Sequence, residues 1–192
     1  MTDAMSDEVH GFIVSSTGRI ILRVDVVERG LLVSLLEQLI ELVAPEDADE
    51  DADPLARMVG IDAQALPPQD PVLARLLPDA YRDDDQAAGD FRRFTERGLR
   101  EHKQANARTA LDSLAGSGAK VTLTPDQARS WLGVLTDVRL ALGVRLELTD
   151  DNHEELLSLP DHDPRAASIH MYDWLTYLQE TLVRCLMVAP PE

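Results

Sequence analysis

Between Thr124 and Leu148 the chain carries an apolar stripe that only a covered helix can satisfy. Trp131, Leu135, Val138, Leu142 and Leu146 recur at three- and four-residue steps, the repeat that lines up side chains on one face of an α-helix. Its start is marked chemically as well. Thr124 is a good N-cap, Pro125 takes the first helical position where a missing N–H does no harm, and Asp126 puts negative charge at the positive end of the dipole. Gln127 completes a T-x-x-Q capping box. A helix with such a face must be covered by other elements.

The rest of the chain supplies the cover. Gly11 to Val24 holds two β-branched runs separated by Ser-Thr-Gly, the pattern of a hairpin, with Ile20, Leu22 and Val24 on one face and Arg19 and Arg23 on the other. A lone hairpin is marginal in water and has to lie on a helix. Asp25 and Glu28 open that helix, Leu32, Leu35, Leu39 and Leu42 form its stripe, and Pro45 stops it. Two turns of helix are predicted after Asp70, ended by Pro78, and a long helix from the Asp83–Asp85 caps to about Leu114. Lys120–Leu123 reads as a brief strand, Asp150–Leu159 as a short acidic helix, and Arg165–Met187 as a last helix. That last helix carries Met171, Leu175, Leu178, Leu182 and Leu186 in one stripe, so it should pack on the central one. The expected fold is mainly α: a single-domain helical bundle spanning residues 10–188, with a small N-terminal β-hairpin. Residues 1–9 are polar and expected to be loose. Residues 45–54, with six acids in ten residues, read as a solvated linker before a helical core over 55–188.

Composition bounds the chemistry. With 35 acidic against 18 basic residues the formal charge is −17, which repels nucleic acid and anionic lipid at long range. Direct DNA binding and membrane association are not expected. One cysteine, Cys185, permits no internal disulfide and no zinc site on paired thiols. No leader pattern and no membrane-length apolar run occurs, so a cytoplasmic location is expected. The histidines never fall at the i, i+4 spacing of a metal-binding helix, and no nucleophile elbow or dinucleotide fingerprint is present. The expectation is a protein with no catalytic residues, no cofactor and no metal.

Basic charge gathers in one place. Arg92, Arg93, Arg97, Arg100, Lys103 and Arg108 lie on the long helix, whose apolar positions Ala87, Phe91, Phe94, Ala105 and Leu111 are thin. Arg93, Arg97 and Arg100 fall at i, i+4 and i+7 and share one side. They read either as partners for the protein's own acids or as a contact surface for an acidic protein. Arg139 borders the central stripe and is expected to be an internal ion-pair partner, with Asp173 or an acid of the long helix opposite it. Cys185, near Leu182 and Leu186, has an apolar setting that makes a redox role doubtful.

Three segments, Asp70–Tyr81 (DPVLARLLPDAY), Trp131–Glu147 (WLGVLTDVRLALGVRLE) and Tyr172–Val183 (YDWLTYLQETLV), resemble the actinobacterial AosR family, with similarity from about Asp25 to Val183. The resemblance implies a cytoplasmic regulator linked to oxidative stress that contacts a sigma factor or RNA polymerase rather than reading DNA itself. The family's usual genomic company suggests an alternative, an adaptor in regulated, Clp-type proteolysis. Self-association into a homodimer stays open. This chain departs from the pattern in having a single thiol, and in Thr136 where Asn is expected before Asp137.

Overall fold

The computed structural model describes residues 10–45, 66–81, 83–116 and 118–188. In chain order these form β1 (Gly11–Val14), β2 (Ile20–Arg23), α1 (Val26–Leu42), α2 (Pro71–Leu76), α3 (Asp85–Ser113), β3 (Lys120–Leu123), α4 (Pro125–Arg145), α5 (His153–Leu157) and α6 (Ala166–Val188). Residues 1–9, the linker expected at 45–54 apart from Pro45, and the first residues of the helical core expected over 55–188 lie outside the described residues.

The hairpin closes as its sequence demands. Gly18 takes a positive φ of 80°, open to glycine at no steric cost, and the Ser15 N–H donates to the Arg19 carbonyl at 2.8 Å. The pair is nevertheless extended by a third strand. β3 lies antiparallel on β2, with Ile20 opposite Leu123 and Leu22 opposite Val121, giving the order β1-β2-β3. The added strand turns a marginal ribbon into a sheet with one buried face, made of Phe12, Ile20, Leu22, Val121 and Leu123. On its other side β1 is tied to α6, where the Phe12 N–H donates to Thr181 Oγ1 at 3.1 Å.

The caps form where the sequence places them. Asp25 accepts from the backbone of Val27 and Glu28 while the Glu28 carboxylate returns to the Asp25 N–H, and Thr124 and Gln127 do the same for α4. Asp70 and Asp84 cap α2 and α3. At the far end of α4 the chain uses a residue that no stop signal announces. Glu147 adopts φ 51°, the Leu148 N–H reaches the Gly143 carbonyl at 2.8 Å and the Glu147 N–H reaches Val144 at 3.1 Å. This is the Schellman closure, built on a residue that bears the strain glycine would avoid.

α4 is the axis of the domain, packed against α1, α2, α3 and α6. All five residues of its predicted stripe are buried, with Trp131 fully enclosed. From α6, Leu175, Leu178 and Leu182 join it in one core that also takes in the sheet and α1. A smaller cluster of Leu146, Leu156 and Ile169 seats α5 against α6. Among the described residues no helix is long and apolar enough to cross a membrane.

Candidate partner-binding face

α3 sits with its polar side inward, the reverse of a simple reading of its composition. Its buried residues are Ala88, Arg92, Arg100, Gln104, Ala107 and Ala110. The helix reaches its neighbours through long side chains that bury aliphatic stems and deliver polar heads to fixed acceptors. Those acceptors are mostly helix ends. The last carbonyls of a helix have no partner within it; at the end of α1 the Ile40 carbonyl accepts from Gln104 Nε2 at 2.9 Å and the Ala44 carbonyl from Arg100 Nη1 at 3.2 Å. At the end of α2 the Leu77 carbonyl accepts from Arg92 Nη2 at 3.2 Å.

Carboxylates balance the charge. Glu96 lies one turn from each arginine, taking Arg100 Nε on Oε1 at 2.8 Å and Arg92 Nη1 on Oε2, while Asp79 accepts from Arg92 Nη2 at 2.6 Å. Burial by itself would lower the Arg92 pKa. The hydrogen bonds that Arg92 donates to Asp79 and Glu96 outweigh it and leave the group above its ordinary value. Further along α3, Lys103 Nζ reaches Asp137 Oδ1 of α4 at 2.6 Å. Burial pushes the Asp137 carboxyl up, and the Lys103 ammonium pulls part of that shift back.

Of the two readings open for Arg93, Arg97 and Arg100, partners for the protein's own acids or one contact surface, Arg100 follows the first and cannot belong to a surface. Arg100, 4% exposed, is an internal residue, because its side of the helix faces α1. Arg93 and Arg97 remain at the surface beside Asp90 at 3.8 Å and Glu101 at 3.1 Å. What the outer side of α3 offers instead is aromatic. Phe91 is 47% and Phe94 63% exposed, and Tyr81 stands edge-on to Phe91 with ring centroids 6.1 Å apart. Exposed aromatics grouped on one helix face, flanked by arginines, have the composition of a protein contact site.

Arg139 also departs from expectation. Its guanidinium donates to Tyr172 Oη at 3.1 Å, Thr176 Oγ1 at 2.9 Å and Gln179 Oε1 at 2.6 Å, and lies 5.0 Å from the Tyr172 ring centroid. All three partners are neutral. Asp173, the expected counterion, points the other way and bonds His153 at 2.9 Å, since it lies off the face that meets α4. Thr136 accepts from Gln179 Nε2 at 3.0 Å and donates to the Leu132 carbonyl.

One grouping among the described residues brings metal-ligand atoms within 4.8 Å of one another, His10, Asp25 and Glu28. Its carboxylates are the capping box of α1, with His10 Nδ1 at 2.8 Å from Glu28. Capping accounts for that cluster without a metal.

Residues 9–186 match the family model described as a domain of unknown function (DUF2017). The proteins named "Oxidative stress regulator AosR" of Mycobacterium tuberculosis and Mycobacterium bovis are each 37% identical over 174 residues, spanning 83% of this chain and 78% of theirs. This chain belongs to the AosR family. A Mycobacterium leprae member is 36% identical over 176 residues, spanning 84% of this chain and 80% of its own. No solved structure matches.

Within the AosR family this member's only thiol, Cys185, is 5% exposed, and burial pushes its pKa up. A thiolate is the reactive form, so the group is protected twice. A thiol reagent added to the native protein is expected to leave Cys185 unlabelled over the time in which the urea-unfolded chain reacts to completion. Fast labelling of the native chain, or a covalent dimer on peroxide treatment, would return Cys185 to the list of redox groups.

Proposed function

We propose that this chain is a non-enzymatic oxidative-stress regulator that works by protein contact through the outer side of α3, with a sigma factor or RNA polymerase subunit as its partner. The regulatory role follows the names of its relatives. The mode of action rests on one observation, the exposed Tyr81, Phe91 and Phe94 patch with Arg93 and Arg97 beside it. Large aromatics supply contact area at low conformational cost, and arginine is the cation best suited to an interface. The formal charge of −17 weighs against an independent DNA-reading role, because nucleic-acid affinity is dominated by phosphate neutralisation.

The test is retention on immobilised full-length chain from lysate of peroxide-treated cells, with partners identified by mass spectrometry. The wild type should retain a sigma factor or polymerase subunits. A Phe91→Ser/Phe94→Ser double variant should lose them while its unfolding free energy changes by less than about 1 kcal/mol, the scale for exposed positions. Retention unaffected by the double change would move the contact elsewhere. Recovery of protease and chaperone components alone would favour the proteolytic-adaptor reading instead.

A further inference from the structure

The fold positions Arg139 with no counterion among the described residues. Tyr172, Thr176 and Gln179 hold the guanidinium from α6, and each of the latter two is fixed in turn: the Thr176 hydroxyl donates to the Tyr172 carbonyl at 2.8 Å and Gln179 Nε2 to Thr136 at 3.0 Å. A guanidinium carries five N–H donors. Three of them are used here, which leaves one N–H on each Nη atom without an acceptor among the described residues. The group lines a groove of about 370 Å³ together with Thr176, Gln179, Glu180, Val183 and Arg184. Arg184 is exposed at the rim and tied to Glu180 at only 3.3 Å, a surface pair that costs little to exchange.

We propose that this groove binds a carboxylate, with Arg139 as its fixed receptor and Arg184 as a second cation that turns towards it. The two remaining N–H groups, one on each Nη atom, can each donate to one oxygen of a planar carboxylate. Because the guanidinium is already held by three hydrogen bonds, binding loses little side-chain freedom. Charge selects against a dianion: Glu180 shares the wall and the chain is strongly acidic, so a singly charged group is favoured over a phosphate. Val183 adds an apolar patch that suits a small hydrocarbon body behind the carboxylate. A free organic monocarboxylate and a glutamate side chain of a partner segment share this chemistry. The site lies on α4 and α6 and stands or falls independently of the α3 face.

The experiment reads Arg139 itself. In the full-length, nitrogen-15-labelled chain its Nε–Hε resonance, assigned by its loss in Arg139→Gln, is followed during titration with sodium benzoate and separately with a blocked peptide containing one Glu. Sodium chloride at matched ionic strength is the control. A saturable shift with a carboxylate and none with chloride is expected. Saturation by benzoate identifies a free monocarboxylate as the guest, and saturation by the peptide alone identifies a partner side chain. Arg184→Glu, a change at an exposed position, should weaken the affinity on the order of tenfold, as loss of a charge-assisted contact. Shifts that follow chloride, that fail to saturate, or that Arg184→Glu leaves unaltered would overturn the proposal.

Discussion

Replacing Trp131 by alanine should destabilise the protein by about 3–5 kcal/mol, the range for large-to-small changes of a buried aromatic. Trp131 is the largest fully buried side chain among the described residues, and it joins α4 to both α3 and β1. Its indole Nε1–H donates to Ser113 Oγ at the end of α3 at 3.0 Å, and its ring meets Phe12 of β1 edge-on with centroids 5.9 Å apart. The substitution removes that edge contact, opens a cavity between sheet and bundle, and leaves Ser113 Oγ with the Ala110 carbonyl alone. Equilibrium unfolding in urea measures the loss. A value below about 1 kcal/mol would mean that the α4 stripe is not the axis of the core.

Glu96→Ala should be nearly as costly, at about 3–5 kcal/mol. Removing one member of a buried ion pair leaves an uncompensated charge, and here one carboxylate serves both Arg92 and Arg100, which are 6% and 4% exposed. Arg92 would keep Asp79 and Arg100 would keep the Ala44 carbonyl, so the expected loss lies within the range for one broken buried pair rather than twice it. Arg93→Ser and Arg97→Ser provide the contrast. Their pairs are exposed, and each substitution should change stability by less than about 1 kcal/mol. If Glu96→Ala proved as mild as those two, α3 would not be docked through its arginines.

These two substitutions also divide what the chain discloses from what it conceals. The core around Trp131 is legible because α4 and α6 state their buried faces in leucine, valine and tryptophan at helical spacing, and the caps at Asp25, Asp70 and Thr124 state their starts. α3 is a different case. Its inward face is written in arginine, glutamine and alanine, and its outward face in phenylalanine, so a hydrophobic count points the wrong way. A signal was present: Arg92, Glu96 and Arg100 stand at successive i, i+4 steps, the spacing of a ladder that can balance its own charge once buried. What the chain alone could not supply was Leu77, Asp79 and Ala44, which meet the ladder only in space. The third strand is a similar case, since Lys120–Leu123 is recognisable as extended while its pairing to β2 is a long-range fact. For Arg139, Tyr172, Thr176 and Gln179 fall at 4- and 3-residue steps along one face of α6, so a neutral cradle was as readable as the carboxylate expected in its place.

The direct test of a protein-contact regulator is to ask what lies against the outer side of α3 in the cell. A photo-reactive benzoylphenylalanine placed at Phe94, with a second chain carrying it at Tyr177 on α6 as control, would be irradiated under peroxide stress and its adducts identified. A covalent adduct from position 94 to a sigma factor or RNA polymerase subunit is expected, with none from position 177. Adducts from position 177 in the absence of any from position 94, or cross-links from position 94 to DNA rather than protein, would contradict it.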